Sequence, residues 1–166
     1  MHHFFVTQNQ IDQQRITITG SDVNHIKNVL RMKCGEELLV SNGQGTDYHC
    51  RISEIRFEAV IAEILKTDQE GKELPAQLYL FQGLPKQEKM DWIIQKAVEL
   101  GAYEIIPVEM ARSVVRLDSK KEEAKRKRWN SIAESGAKQS KRSIIPQVSH
   151  VMNMKEALEY GDRLDI

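Results

Sequence analysis

From Gln77 to Gly101 the chain reads QLYLFQGLPKQEKMDWIIQKAVELG, a strand, a tight loop and a helix in immediate succession. Leu78 to Phe81 is a continuous apolar run, the pattern of a strand covered on both faces in a parallel sheet. Gly83 and Pro85 are turn residues, and Lys86 stands where the carboxyl end of that strand hands over to the helix. Met90, Ile93, Ile94 and Ala97 then recur at the spacing of one helical face, and Gly101 supplies the stop. In open α/β sheets ligands bind in the crevice at the carboxyl ends of strands. Few folds other than an α/β layer accommodate this unit, and its loop is the first place to look for function.

The 166 residues suffice for one medium domain or two small ones, with 40% apolar and 29% charged residues, an ordinary globular balance. No apolar run approaches the ~20 residues of a bilayer span, and the amino terminus lacks the pattern of a signal peptide. Cys34 and Cys50 form neither a disulfide framework nor a metal-ligand spacing, so a reducing cytoplasm is the expected compartment. The formal net charge is zero, yet residues 112–142 hold 11 Lys and Arg against 4 Asp and Glu, so a net +7 segment sits on an otherwise acidic chain. Such a segment points to a nucleic-acid partner.

The first 66 residues read as short strands around one helix. Phe4–Val6, Arg15–Thr19, Leu38–Val40, Tyr48–Ile55 and Val60–Leu65 are the strands, and Asn42-Gly43-Gln44-Gly45 is a hairpin signal. Ser21 caps a helix expected to run through Met32, with Gly35 as its stop. This composition suggests a small β-barrel over residues 1–70. The polar segment Thr67–Pro75 is the natural boundary, and residues 75–166 read as α/β. There, Glu104–Val108 and Ile144–Val148 are strands, Lys120–Ser140 is a long helix, and Met154–Tyr160 begins another. A further strand is expected to start at Arg163.

Lys138, Lys141 and Arg142 lie within about one turn, beside Gln139 and Ser140, and can share a phosphate track with Arg112 and Arg116. The bland alternative is a solvated face, which also accounts for part of Lys125–Arg128. On the first α/β helix, Lys89, Trp92 and Lys96 line one side, either as a wall on which a base stacks or as a packed Trp with lysines snorkelling beside it. Glu99, at the disfavoured carboxyl end of that helix, needs a cation. An ion pair with Arg112 answers this, and a general-base role is the alternative. Lys27 and Arg31, spaced i and i+4, extend a positive strip onto the barrel. The five histidines show no metal spacing, so no metal is expected, and GxGxxG, GxxxxGK[ST] and GxSxG are all absent.

The block Gly83-Leu84-Pro85-Lys86, Trp92-Ile93-Ile94-Gln95-Lys96 and Glu99-Leu100-Gly101 resembles the bacterial 16S ribosomal RNA (uracil-N3) methyltransferases. The likeness continues in Pro107, Ala111-Arg112-Ser113-Val114, Arg128-Trp129, Gln139-Ser140 with Arg142, and Pro146. It extends amino-terminally to His25-Ile26, Asn28 to Met32, and Gly35. The resemblance covers nearly the whole chain and implies membership of the SPOUT superfamily. It implies a PUA-like RNA-binding β-barrel followed by an incomplete SPOUT-type α/β knot domain, a homodimer, and S-adenosylmethionine as cofactor. In two respects the chain departs from the pattern. His3 stands where the family carries an arginine, which weakens a cationic contact at neutral pH. The family's glycine-rich GPEGG-type loop and Leu-Gly-x-Arg-Ile-Leu-Arg segment, which form the knot and most of the cofactor pocket, lie beyond Ile166. Cofactor-binding residues are therefore expected there, and the 166 residues alone are expected to be inactive.

The implied reaction places a methyl group on N3 of a uridine in 16S ribosomal RNA of the small subunit. N3 lies on the Watson–Crick edge, so the base must be unpaired or flipped out. Arg112 or Lys86 beside O2 or O4 would stabilise the anion formed when N3 loses its proton. Arg112, Lys86 and Glu99 are thus the expected catalytic residues. Lys27, Arg31, Lys89, Lys96, Lys138, Gln139, Lys141 and Arg142 are the expected RNA contacts, with neither membrane nor metal involved. A non-catalytic RNA-binding module is the competing reading, and an unrelated α/β enzyme holding phosphate in the Gly83–Lys86 loop is a third.

Overall fold

The computed structural model describes residues 1–69, 72–86, 89–110 and 118–164, and these divide into two compact units. The first comprises Met1–Glu73 with Lys141–Ile144, and the second comprises Leu74–Ser140 with Ile145–Ile166. Nothing in the sequence pattern signals the return of four late residues to the first unit.

The first unit is a five-stranded sheet of β1 (His2–Phe5), β2 (Arg15–Thr19), β3 (Glu37–Ser41), β4 (Asp47–Ile55) and β5 (Ala59–Asp68), in the order β1-β3-β4-β5-β2. All neighbouring pairs are antiparallel except β1 and β3. Strand alternation puts Phe4, Ile16, Ile18, Leu38, Val40 and Ile52 into one core, as expected of a sheet curled over its apolar face. The Asn42–Gly45 signal is honoured between β3 and β4, where the Asn42 side-chain oxygen accepts from the Gln44 and Thr46 amides at 2.9 and 3.1 Å.

The helix expected from Ser21 to Met32 is shorter and of mixed type. After α1 (Ser21–Asn24) the chain widens into a π-helical segment, His25–Val29, in which the Leu30 amide donates to the His25 carbonyl at 2.8 Å. Arg31 then takes a left-handed backbone, φ 54°, and ends the element. Val23 and Ile26 both reach the core, with Leu30 packed against it, while the regular i, i+4 bonding is lost from His25 onward.

The second unit is a parallel sheet of β6 (Leu78–Gly83), β7 (Ala102–Glu109), β8 (Gln147–Val148) and β9 (Met152–Asn153). β6 pairs β7 along its length, and β8 and β9 pair successive parts of β7. The helices are α2 (Lys89–Glu99), α3 (Ser119–Ser140) and α4 (Met154–Gly161). β7 is the buried strand, with Ile105 and Ile106 fully enclosed. β6, read from its apolar run as covered on both faces, lies at the end of the strand order instead and leaves Leu78 and Phe81 partly in solvent. The expected Ile144–Val148 strand is reduced to Gln147–Val148, because Ile144 bridges to Gln44 in the first unit. Among the described residues no strand begins at Arg163: its amide and that of Leu164 close turns onto Tyr160 and Gly161. Asp165 and Ile166 lie outside the described residues.

α2 ends as its glycine predicts. Gly101 adopts φ 96°, and its amide and that of Leu100 close onto the Val98 and Lys96 carbonyls. Its buried seam is Met90, Ile94 and Val98, against which α3 presents Trp129, Ala133, Gly136 and Ala137.

Candidate functional site

Each unit presents its own candidate surface. In the second, the sequence Gln82-Gly83-Leu84-Pro85-Lys86 carries the chain off β6, and the Leu84 amide donates to the Val108 carbonyl at 2.9 Å. That bond holds the start of the loop at the carboxyl end of β7, and Lys86 beyond it is exposed. α2 continues with Lys89 exposed, Trp92 65% exposed, and Lys96 half-buried. Trp92 is therefore not a packed core residue, and among the described residues no element covers it. Lys89 and Trp92 are thus open to solvent on α2, and Lys96 is partly so.

Glu99 is compensated from its own helix. Its carboxylate accepts from the Lys96 ammonium at 2.6 Å and from the Gln95 amide at 3.0 Å. The Lys96 bond above all holds its carboxyl below the ordinary range, which makes Glu99 a weaker proton acceptor and argues against a general-base role. Lys96 is the partner that the structure supplies where the sequence suggested Arg112. Arg112 and Arg116 lie outside the described residues.

Along α3 the basic run is partly spent on local pairs. Arg128 binds Asp91 of α2 through two nitrogens at 3.0 and 2.6 Å, Lys127 pairs with Glu123 at 2.8 Å, and Lys138 pairs with Glu134 at 3.0 Å. Such exposed pairs are worth little individually and leave the cations accessible to phosphate. Gln139 is exposed at the end of the helix.

The 141–144 segment departs from expectation. Lys141 is exposed and turns the chain with φ 58°, but Arg142 is only 7% exposed. Its guanidinium donates to both oxygens of Glu73, whose carboxylate also accepts the Ser143 and Ile144 amides at 2.9 and 3.1 Å. Arg142 is therefore a buried structural cation and not a phosphate contact. Because Lys141–Ile144 belongs to the first unit, the continuous cationic track expected from helical spacing through Lys138, Lys141 and Arg142 does not form as a helix face. The Ser143 hydroxyl donates to Asp47 at 2.9 Å, Asp47 accepts in turn from Ser41, and the His3 ring nitrogen Nε2 lies 2.7 Å from that Ser41 hydroxyl. His3 is thus a buried member of a polar network beneath the β3–β4 hairpin.

Lys27 and Arg31 do not share a helical strip either, since the π-helical segment and the left-handed Arg31 intervene. Lys27 donates to the Arg56 and Phe57 carbonyls at 3.0 and 3.3 Å, with its ammonium 5.5 Å from the centroid of the Phe57 ring. Arg31 is exposed. Sequence reasoning passed over Phe57. The available signal was a large aromatic between Arg56 and Glu58, at the turn joining two strands.

Two hollows accompany these surfaces. One of about 390 Å³ lies among Phe81, Gly83, Met110, Met154, Leu158 and Asp162, at and beside the carboxyl ends of β6 and β7. Its walls are apolar save for Asp162. The other, of about 620 Å³, lies in the first unit against Lys27 and Phe57. Among the described residues no three His, Cys, Asp or Glu side chains gather as a metal would require, and no helix is long and apolar enough to cross a membrane.

Comparison with known proteins aligns with this two-part architecture. The family profile described as RNA methyltransferase PUA domain matches residues 18–65, and that described as RNA methyltransferase domain matches residues 72–166. The chain is similar to Ribosomal RNA small subunit methyltransferase E of Bacillus subtilis, 39% identical over 96% of this chain and 63% of that protein. It is 33% identical to the protein of the same name from Mesomycoplasma hyopneumoniae, over 100% of this chain and 69% of the other. Among solved structures, Ribosomal RNA small subunit methyltransferase E from Neisseria gonorrhoeae, bound to S-adenosyl methionine, superposes with a TM-score of 0.82 at 31% identity, covering 96% of this chain and 65% of that one. The chain thus spans about two thirds of the length of these relatives.

Proposed function

The chain belongs to the RNA methyltransferase family, and on that premise we propose that it serves the methylation of a uridine at N3 in the 16S ribosomal RNA of the small subunit. S-adenosyl methionine is the proposed methyl donor, and the proposed working form is a cytoplasmic homodimer of SPOUT type acting in ribosome biogenesis. The observation that carries the reading is the union in one chain of a PUA-type profile, residues 18–65, and a methyltransferase profile, residues 72–166.

The described residues do not by themselves fit the donor. The hollow beside β6 and β7 offers apolar walls for an adenine, but Asp162 is the one charged side chain lining it, with no cation for the methionyl carboxylate. No step through the donor is assigned to those residues. The substrate side is better furnished. Trp92 offers a ring face to an unpaired uridine and Lys89 and Lys96 offer cations to its phosphates, on the helix that follows the loop bearing Lys86. Lys86 and Arg112 are proposed to stabilise the uridine anion at O2 or O4, and Lys138, Gln139, Lys141 and Arg31 to hold the surrounding RNA.

The test is methyl transfer from labelled S-adenosyl methionine to isolated small ribosomal subunits, with the product nucleoside identified by mass spectrometry. N3-methyluridine is the expected product, and a label on any other atom would overturn the assignment. Arg112→Ala should reduce turnover by about 100-fold if it stabilises the anion; unchanged turnover would remove it from the mechanism. The donor-poor lining of the hollow also supports a second reading, a non-catalytic RNA-binding module. Calorimetric titration with S-adenosyl methionine separates the two: heat of binding favours the enzyme, and none favours the module.

A further inference from the structure

We propose that the groove of the first unit beside the β4–β5 turn is a docking site for one unpaired nucleobase of single-stranded RNA, with Phe57 as the stacking platform. The proposal rests on the RNA-binding reading above and adds a site to it. Phe57 and Glu58 are the central residues of a tight turn, closed by the Arg56 amide donating to the Ala59 carbonyl at 2.8 Å. Turns of this kind favour small polar residues, yet Phe57 is 88% exposed. It contributes nothing to the core of its unit and stands in solvent at the tip of the turn.

The ring is nevertheless held in place. Lys27 reaches across from the π-helical segment and ties down the two carbonyls flanking it, at 3.0 and 3.3 Å. The ammonium, 5.5 Å from the ring centroid, adds a cation–π attraction. Most of the ring remains open to a second planar partner.

The groove beside it supplies what a base edge needs. The Asn28 side-chain amide donates to the Asn24 side-chain oxygen at 2.6 Å. That single bond leaves the Asn24 amide hydrogens and the Asn28 oxygen as a donor and an acceptor side by side. Thr19 adds a hydroxyl, and Glu58 an acceptor for an exocyclic amine. Gly20, with φ 76°, leaves the space a Cβ would take empty, so backbone lines that part of the groove. At about 620 Å³ the hollow admits a nucleotide. An exposed and anchored aromatic, paired amides and a lysine suit a splayed-out RNA base. A protein partner would call for a broader apolar patch, which this groove lacks.

The test is binding of a single-stranded oligoribonucleotide carrying one 2-aminopurine to the 166-residue chain, followed by anisotropy and by base fluorescence. Phe57→Trp should bind as well as the wild type and quench 2-aminopurine. Phe57→Ala and Phe57→Leu should each weaken binding about five-fold or more and abolish the quench, because stacking on an aromatic is lost. Circular dichroism verifies that these surface variants remain folded. If Phe57→Leu binds and quenches as the wild type does, stacking is refuted. If Phe57 variants are unaffected while Lys89→Gln and Lys138→Gln weaken binding, the groove proposal falls and the RNA-binding reading stands. If the wild-type chain binds no RNA at low salt, both fall.

Discussion

Glu73 shows how much one side chain can decide. Its carboxylate gathers a buried guanidinium and two backbone amides, so with Asp47 and Gln44 it is one of the points at which residues 141–144 are held in the first unit. Replacing it with Gln keeps the size but removes the charge that Arg142 faces, and a broken buried pair costs about 3–5 kcal/mol. Glu73→Gln should therefore lower the urea midpoint markedly, whereas Glu37→Gln, at the exposed pair with Arg51, should leave it nearly unchanged. The two cysteines differ as sharply. Cys50 is fully enclosed, and burial pushes its thiol up to about 12, whereas Cys34 is exposed. Since the thiolate is the reactive species, a chromogenic disulfide reagent at neutral pH should titrate one thiol in the native protein and two after denaturation. A fast reaction of both would contradict the enclosed position of Cys50.

At the scale of elements, the seam between α2 and α3 depends on a residue with no side chain. A Cβ built on Gly136 would meet Val98 Cγ1 at 3.2 Å, so the helices approach through that gap. Gly136→Leu should destabilise the protein by about 1–3 kcal/mol through overpacking, despite leucine's better helix propensity. Thermal unfolding measures it, and an unchanged midpoint would mean the helices can separate at no cost. The extent of α2 was legible in the sequence, because a 3.6-residue apolar period and a stop glycine are both local signals, although its buried seam runs through Val98 and leaves Ile93 and Ala97 only partly covered. The element at Ser21 was not. Its apolar positions fit a regular helix, so the widening at His25–Val29 leaves no mark in their spacing. β6 misled in the opposite direction. An apolar run is the same string whether the strand lies inside a sheet or at its edge, and only the pairing order tells them apart.

Across the whole molecule, alkaline conditions should expose one weakness of the second unit. The Tyr160 hydroxyl donates to Glu104 at 2.8 Å, and this bond, with burial, raises the phenol to about 12. Tyr79 is raised in the same direction, by desolvation above all. A phenol raised in the folded state from an unfolded value of ~10 contributes its full stability below that pH and loses it as the pH climbs to its folded value. Unfolding midpoints should thus fall between about pH 10 and pH 12, and the fall should be shallower in Tyr160→Phe. The candidate site was legible in the sequence where it depended on residue type along a helix, as with Lys89, Trp92 and Lys96. It was illegible where chain path decided the outcome, as with Arg142, whose neighbour at Glu73 lies 69 positions away.

That path also sets a schedule for the growing chain. The carboxylates of Asp47 and Glu73 are made early, but the hydroxyl, amides and guanidinium that satisfy them arrive only with Arg142, Ser143 and Ile144. At about 5–20 residues per second, synthesis of the intervening stretch occupies several seconds. During that interval the amino-terminal sheet can form its strands but cannot finish its polar interior. The first unit is thus completed only after residues 74–140, which belong to the second, have been synthesised.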